Sequence, residues 1–162
     1  MNKISSFTID HLRLLPGIYV SRKDYLKGDT LTTFDLRFTK PYTDSVMETD
    51  GVHALEHLGA TFLRNHKNWK DKIIYFGPMG CRTGFYLIIS EDLKSTDIIP
   101  IMKEMMEYII EFTGDIPGAI KKECGNYLDS NLQKAKHYAQ KFRQEVLINP
   151  TEKNLTYPRT KG

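Results

Sequence analysis

The chain has only two cysteines in 162 residues, Cys81 and Cys124, and no apolar run near the eighteen or so residues of a membrane-spanning helix. Two cysteines are too few for a disulfide-stapled secreted scaffold. The opening residues, Met1-Asn2-Lys3-Ile4-Ser5-Ser6, lack the apolar core and small-residue cleavage site of a secretory leader. The expectation is therefore a cytoplasmic protein with two reduced thiols. Excess charge is also small: 23 Lys and Arg against 20 Asp and Glu leave +3, and the basic residues are scattered. That footprint suits neither a nucleic-acid partner nor a membrane, and none is expected. No repeat or linker divides the chain, whose length one domain fills with its own core.

What is present reads as strands mixed with helices. Residues 31–39 alternate, with Phe34, Leu36 and Phe38 on one face and Asp35 and Arg37 on the other, which predicts a half-buried strand. Short apolar runs at 73–76 and 84–90 predict two more, separated by the turn segment Gly77-Pro78-Met79-Gly80-Cys81. Helical spacing of Leu55, Leu58 and Phe62 predicts a helix over 51–65. A second, capped by Ser95 or Thr96 and with Pro100 in its first turn, stops before Gly114; a third covers 131–147. Without βαβ alternation, the expected class is α+β: helices packed on one face of a mainly antiparallel sheet. The domain is expected over 1–148, with 149–162 a polar tail, disordered or loosely docked. Within that tail Asn154-Leu155-Thr156 matches a glycosylation sequon, which a cytoplasmic location makes coincidental.

The main chemical signal is His53-Ala54-Leu55-Glu56-His57. Two imidazoles at i and i+4 project from one helix face and can meet one ion. Chance would place this pattern in roughly one such chain in a hundred. At 100° per residue the apolar stripe lies opposite the histidines, so they are not core filler of this helix. A third ligand must come from elsewhere, and Cys124, in the loop Glu123-Cys124-Gly125-Asn126, is the candidate. Two imidazoles and a thiolate suit Fe²⁺, Zn²⁺ or Co²⁺ rather than Mg²⁺ or Ca²⁺, and leave one position open. The same His-x-x-Glu-His order occurs in inverzincin peptidases, where the glutamate activates water and a carboxylate completes the site; Glu123 keeps that alternative open. A noncatalytic metal-binding module is the third possibility. Arg64, two turns beyond His57 on the same face, is placed to meet a substrate carboxylate.

Further segments resemble one family from about residue 6 to 147: Ser6-Phe7-Thr8-Ile9-Asp10-His11, Phe34-Asp35-Leu36-Arg37-Phe38, His53 through Arg64, Pro78-Met79-Gly80-Cys81-Arg82-Thr83-Gly84-Phe85-Tyr86, and Cys124-Gly125. In that order they resemble the S-ribosylhomocysteine lyases. The resemblance implies cleavage of S-ribosylhomocysteine to homocysteine and 4,5-dihydroxy-2,3-pentanedione, the autoinducer-2 precursor, by carbonyl migration and β-elimination. It implies one divalent metal per subunit on His53, His57 and Cys124, Fe²⁺ in the cell with Zn²⁺ or Co²⁺ able to replace it. It also implies a homodimer with active sites at the interface. Cys81 and Glu56 become the acid/base groups, and Ser6, His11 and Arg37 join Arg64 as substrate-binding residues. A cysteine base must be a thiolate, with Arg82 the cation next to it in sequence. One departure stands out. Many members carry Asp-Ile-Ser before Pro-Met-Gly-Cys, where this chain reads Tyr75-Phe76-Gly77, a neutral hydroxyl in place of a charged acceptor.

Overall fold

The computed structural model describes residues 1–159. Four strands form one antiparallel sheet: β1 (Gly17–Leu26), β2 (Asp29–Arg37), β3 (Ile73–Pro78) and β4 (Gly84–Ile89), in the spatial order β1-β2-β4-β3. Helices α1 (Thr49–Asn65), α2 (Ile99–Glu111) and α3 (Leu132–Phe142) pack on it, giving the expected α+β domain. Period-2 alternation sends Phe34, Leu36, Phe85, Leu87 and Ile18 into the core, where they meet Leu55 and Leu58 of α1, Met102 and Met105 of α2, and Phe142 of α3. Phe38 packs edge-on against both Phe85 and Phe142, and so joins sheet to helices.

The strand β1 has no counterpart in the sequence expectation. Its signal is the pair Lys27-Gly28, whose φ values of 46° and 92° make the two-residue turn that joins β1 to β2 with Leu26 facing Asp29. Ser95 and Thr96 do not cap α2 with their side chains: a 3-10 turn, Ser95–Ile98, leads into it, and Ser95 Oγ instead donates to the Leu155 carbonyl at 3.1 Å. The third helix ends as a π turn, Arg143–Leu147, which carries it to the expected end.

Of the two expectations for the tail, disordered or loosely docked, the structure shows docking. Residues 153–157 dock against β1 and Pro16 just before it, and residues 158–159 pair with Ile9 and Asp10. Asn154 is 9% exposed, and its Nδ2 donates to the Pro16 carbonyl at 2.9 Å. That burial leaves the sequon asparagine engaged inside the fold. Tyr157 stacks on Tyr19 with ring centroids 4.7 Å apart. Tyr19 lies on β1, which sequence reasoning does not place, and Pro16 immediately precedes it. The last three residues of the expected tail, 160–162, lie outside the described residues.

Candidate metal centre and active site

Helix α1 presents His53 and His57 one turn apart, with ring centroids 4.6 Å apart and planes crossed at 80°. Each ring is oriented from behind by a backbone carbonyl: His53 Nδ1 lies 2.7 Å from the Asp129 carbonyl and His57 Nδ1 2.8 Å from that of Pro117. A carbonyl oxygen only accepts, so each Nδ1 carries the hydrogen and each Nε2 keeps its lone pair for an ion. The segment between α2 and α3 supplies both carbonyls and also Cys124. It is held to the start of α1 by Asn131 N donating to the Asp50 carbonyl at 2.9 Å, and by Lys134 bridging to Glu48 and Asp50.

This scaffold brings Cys124 Sγ to 3.4 Å from His53 Nε2, and the ligand atoms of His53, His57 and Cys124 all lie within 4.8 Å of one another. Tetrahedral coordination with ordinary metal–nitrogen and metal–sulfur bonds puts such atoms about 3.5 Å apart, so the donor set fits a borderline-soft divalent ion. The amide of Asn126, 3.5 Å from Cys124 Sγ, adds a donor toward the thiolate. Glu123 is exposed and is not part of this converging group, which removes the carboxylate that the peptidase alternative requires.

Beside the histidines lies a concavity of about 250 Å³ walled by Thr49, His53 and Glu56 of α1 and by Pro78, Met79, Gly80 and Arg82 of the turn that carries Cys81. Glu56 is half-buried there and Cys81 is exposed. The guanidinium that reaches Cys81 is that of Arg37, not the sequence neighbour Arg82: Arg37 Nη1 lies 3.9 Å from Cys81 Sγ and donates to Thr83 Oγ1 at 2.7 Å. Thr83 Oγ1 is in turn 3.1 Å from the sulfur. Burial opposes the charge on Arg37, but Asp35, 2.6 Å away, and Cys81 outweigh it and hold the guanidinium firmly protonated. Asp35, Thr83 and the two orienting carbonyls were absent from the sequence prediction. Asp35 and Thr83 both lie within segments that carry the family resemblance, whereas a backbone carbonyl leaves no mark in a sequence.

The remaining predicted residues are spread out. Arg64 is exposed and its Nη2 reaches the Ile74 carbonyl at 3.3 Å. Ser6 lies with Tyr75 and Tyr86 around a separate concavity on the outer face of the sheet, and His11 Nδ1 is 3.0 Å from the Ile9 carbonyl. Neither Ser6 nor His11 lines the concavity that holds Glu56. Tyr75 lies over Gly77, where a Cβ would come within 2.0 Å of its hydroxyl, so the two departures of that triplet are sterically linked.

A model of the family S-Ribosylhomocysteinase (LuxS) matches residues 4–153. Proteins named S-ribosylhomocysteine lyase from Clostridium beijerinckii, Finegoldia magna and Desulfotalea psychrophila are 60%, 58% and 54% identical, each over 98% of this chain and 99% of their own length. With the family match spanning both the histidine helix and the Cys81 turn, the chain belongs to the S-ribosylhomocysteinase (LuxS) family.

Proposed function

We propose that this protein is a metal-dependent S-ribosylhomocysteine lyase, releasing homocysteine and the autoinducer-2 precursor 4,5-dihydroxy-2,3-pentanedione. The observation that carries this is the meeting of His53, His57 and Cys124 beside a concavity whose opposite wall is the Cys81 turn. His53, His57 and Cys124 would hold one divalent ion per subunit, Fe²⁺ in the cell, with Zn²⁺ or Co²⁺ able to replace it. When bound, that ion supplies a Lewis acid for the oxygens of the sugar.

The residues divide the rest of the work. A thioether leaves badly from an unactivated carbon, so the carbonyl is first moved along the sugar to C3 by two proton shifts between neighbouring carbons. Cys81, as a thiolate held by Arg37 and Thr83, takes each proton from carbon and returns it to the next. Glu56 handles protons at the oxygens. Glu56 then takes the C4 proton, the C4–C5 double bond forms as the C5–S bond breaks, the proton passes to the departing homocysteine thiolate, and the enol left behind shifts its hydrogen to C5. The atoms of the substrate reappear in the two products, so no water or oxidant is consumed. Arg64 is assigned to the substrate carboxylate.

The unit proposed is a homodimer in the cytoplasm. Ser6 and His11 would serve the site of a second copy, which is supported by their position away from the concavity of their own chain. Mixing Cys81→Ala with Ser6→Ala protein tests this: activity should reappear on mixing, and its absence rejects shared sites. For the reaction itself, S-ribosylhomocysteine is added to anaerobically purified protein and homocysteine is followed with a thiol reagent, corrected for protein thiols. No release from metal-loaded protein rejects the lyase assignment.

A further inference from the structure

Alternation along β2 puts Asp35 and Arg37 on the sheet face turned away from the helices, where an uncovered pair would be wet. They are instead 0% and 4% exposed. Their cover comes partly from the C-terminal segment. The Asn154 carbonyl crosses β1 at Gly17, where a Cβ would meet it at 2.2 Å, and the Tyr157 ring lies on Tyr19 with planes 13° apart.

This docking sets the Tyr157 hydroxyl 2.6 Å from Asp35 Oδ2, the same oxygen that accepts from Arg37 Nη2 at 2.6 Å. Arg37 Nη1 donates to Thr83 Oγ1, and Thr83 Oγ1 adjoins Cys81 Sγ. One continuous line of polar groups thus runs from the end of the chain to the thiol. Its polarity is set by chemistry. Burial, then the Asp35 carboxylate, push the Tyr157 phenol above its ordinary value, so it stays a neutral donor. Thr83 accepts from a guanidinium that has no lone pair to give, which leaves its own hydrogen for a sulfur that can only accept as thiolate. A carboxylate that loses one of two donors draws harder on the other. Tyr157 therefore moderates the hold of Asp35 on Arg37.

We propose that Tyr157 is a positioning residue for Cys81, acting through Asp35, Arg37 and Thr83, so that docking of the C-terminal segment sets the reactivity of the thiol. The catalytic consequence rests on the assignment of Cys81 as the proton-transfer group. The test uses full-length Tyr157→Phe, which keeps the stack on Tyr19 and loses only the hydroxyl, and Tyr157→Leu, which loses both. The rate of Cys81 alkylation by iodoacetamide is read by mass spectrometry at fixed pH, with kcat, KM and melting temperature alongside. Tyr157→Phe should slow alkylation and lower kcat by about three- to tenfold, the effect of one lost hydrogen bond in the line, with KM unchanged. Tyr157→Leu should melt lower yet slow alkylation no further. Alkylation of Tyr157→Phe at the wild-type rate overturns the proposal. Thr83→Val probes the other end of the line, and an unchanged alkylation rate there overturns it equally. Alkylation needs no turnover, so a wild-type protein without lyase activity would reject the assigned reaction and leave this test intact.

Discussion

Gly118 stands directly behind the ring of His57: at a φ of +74° its position for a Cβ is 3.2 Å from His57 Nδ1. That nitrogen is the one bonded to the Pro117 carbonyl, so backbone conformation and ligand orientation share one point. Gly118→Ala adds left-handed strain of about 1 kcal/mol and displaces the imidazole. Metal affinity should fall about ten- to hundredfold, as when other groups orienting a ligand are lost. Chelator competition with Zn²⁺ measures it, and an unchanged affinity would show that the contact is slack.

The two thiols differ in place and so in the effect of removing them. Cys124 lies 3.4 Å from His53 Nε2, whereas the partners of Cys81 are Thr83 and Arg37. Cys124→Ala should purify without metal. Cys81→Ala should retain it and lose homocysteine release by at least about a hundredfold. Elemental analysis beside the thiol assay separates them, and equal metal loss in both variants would overturn the division of roles.

Acid should loosen the seams that tie α3 to α1 and to the connection before α1, Asp50 with Lys134 and Asp44 with Lys141. Asp50 is held below the ordinary carboxylate range by Lys134, against an opposing effect of burial, and with help from the Gly51 amide. Asp44 is lowered by the Lys40 amide, again against burial, with Lys141 adding to it. A depressed folded value means that the stabilisation is present above the unfolded value near 3.9 and is lost as pH falls through the folded one. Metal-free protein should therefore show a melting temperature that drops below about pH 4. Lys134→Met should melt lower at neutral pH and show a shallower acid decline; an identical acid slope would remove Asp50 from the account.

Local features were legible wherever their cause was local. The histidine stripe and the apolar stripe opposite it follow from 3.6-residue periodicity, and the structure keeps both in α1. Strand β1 escaped notice because part of what buries it, Tyr157 on Tyr19, lies far along the chain. The tail reads as disordered or loosely docked for the same reason: few apolar residues do not preclude firm docking when Asn154 and Tyr157 find polar and aromatic partners.

By itself the sequence determined the residue types of the centre, two imidazoles and a thiolate with an acid one turn along, and the fold class. Periodicity and donor chemistry are properties of a short stretch of chain. Only the tertiary structure decided which guanidinium serves Cys81, Arg37 from β2 rather than the adjacent Arg82, and which carbonyls aim the histidines. Hydrogen bonds and charge act over a few ångströms of space, and distance along the sequence does not report that separation.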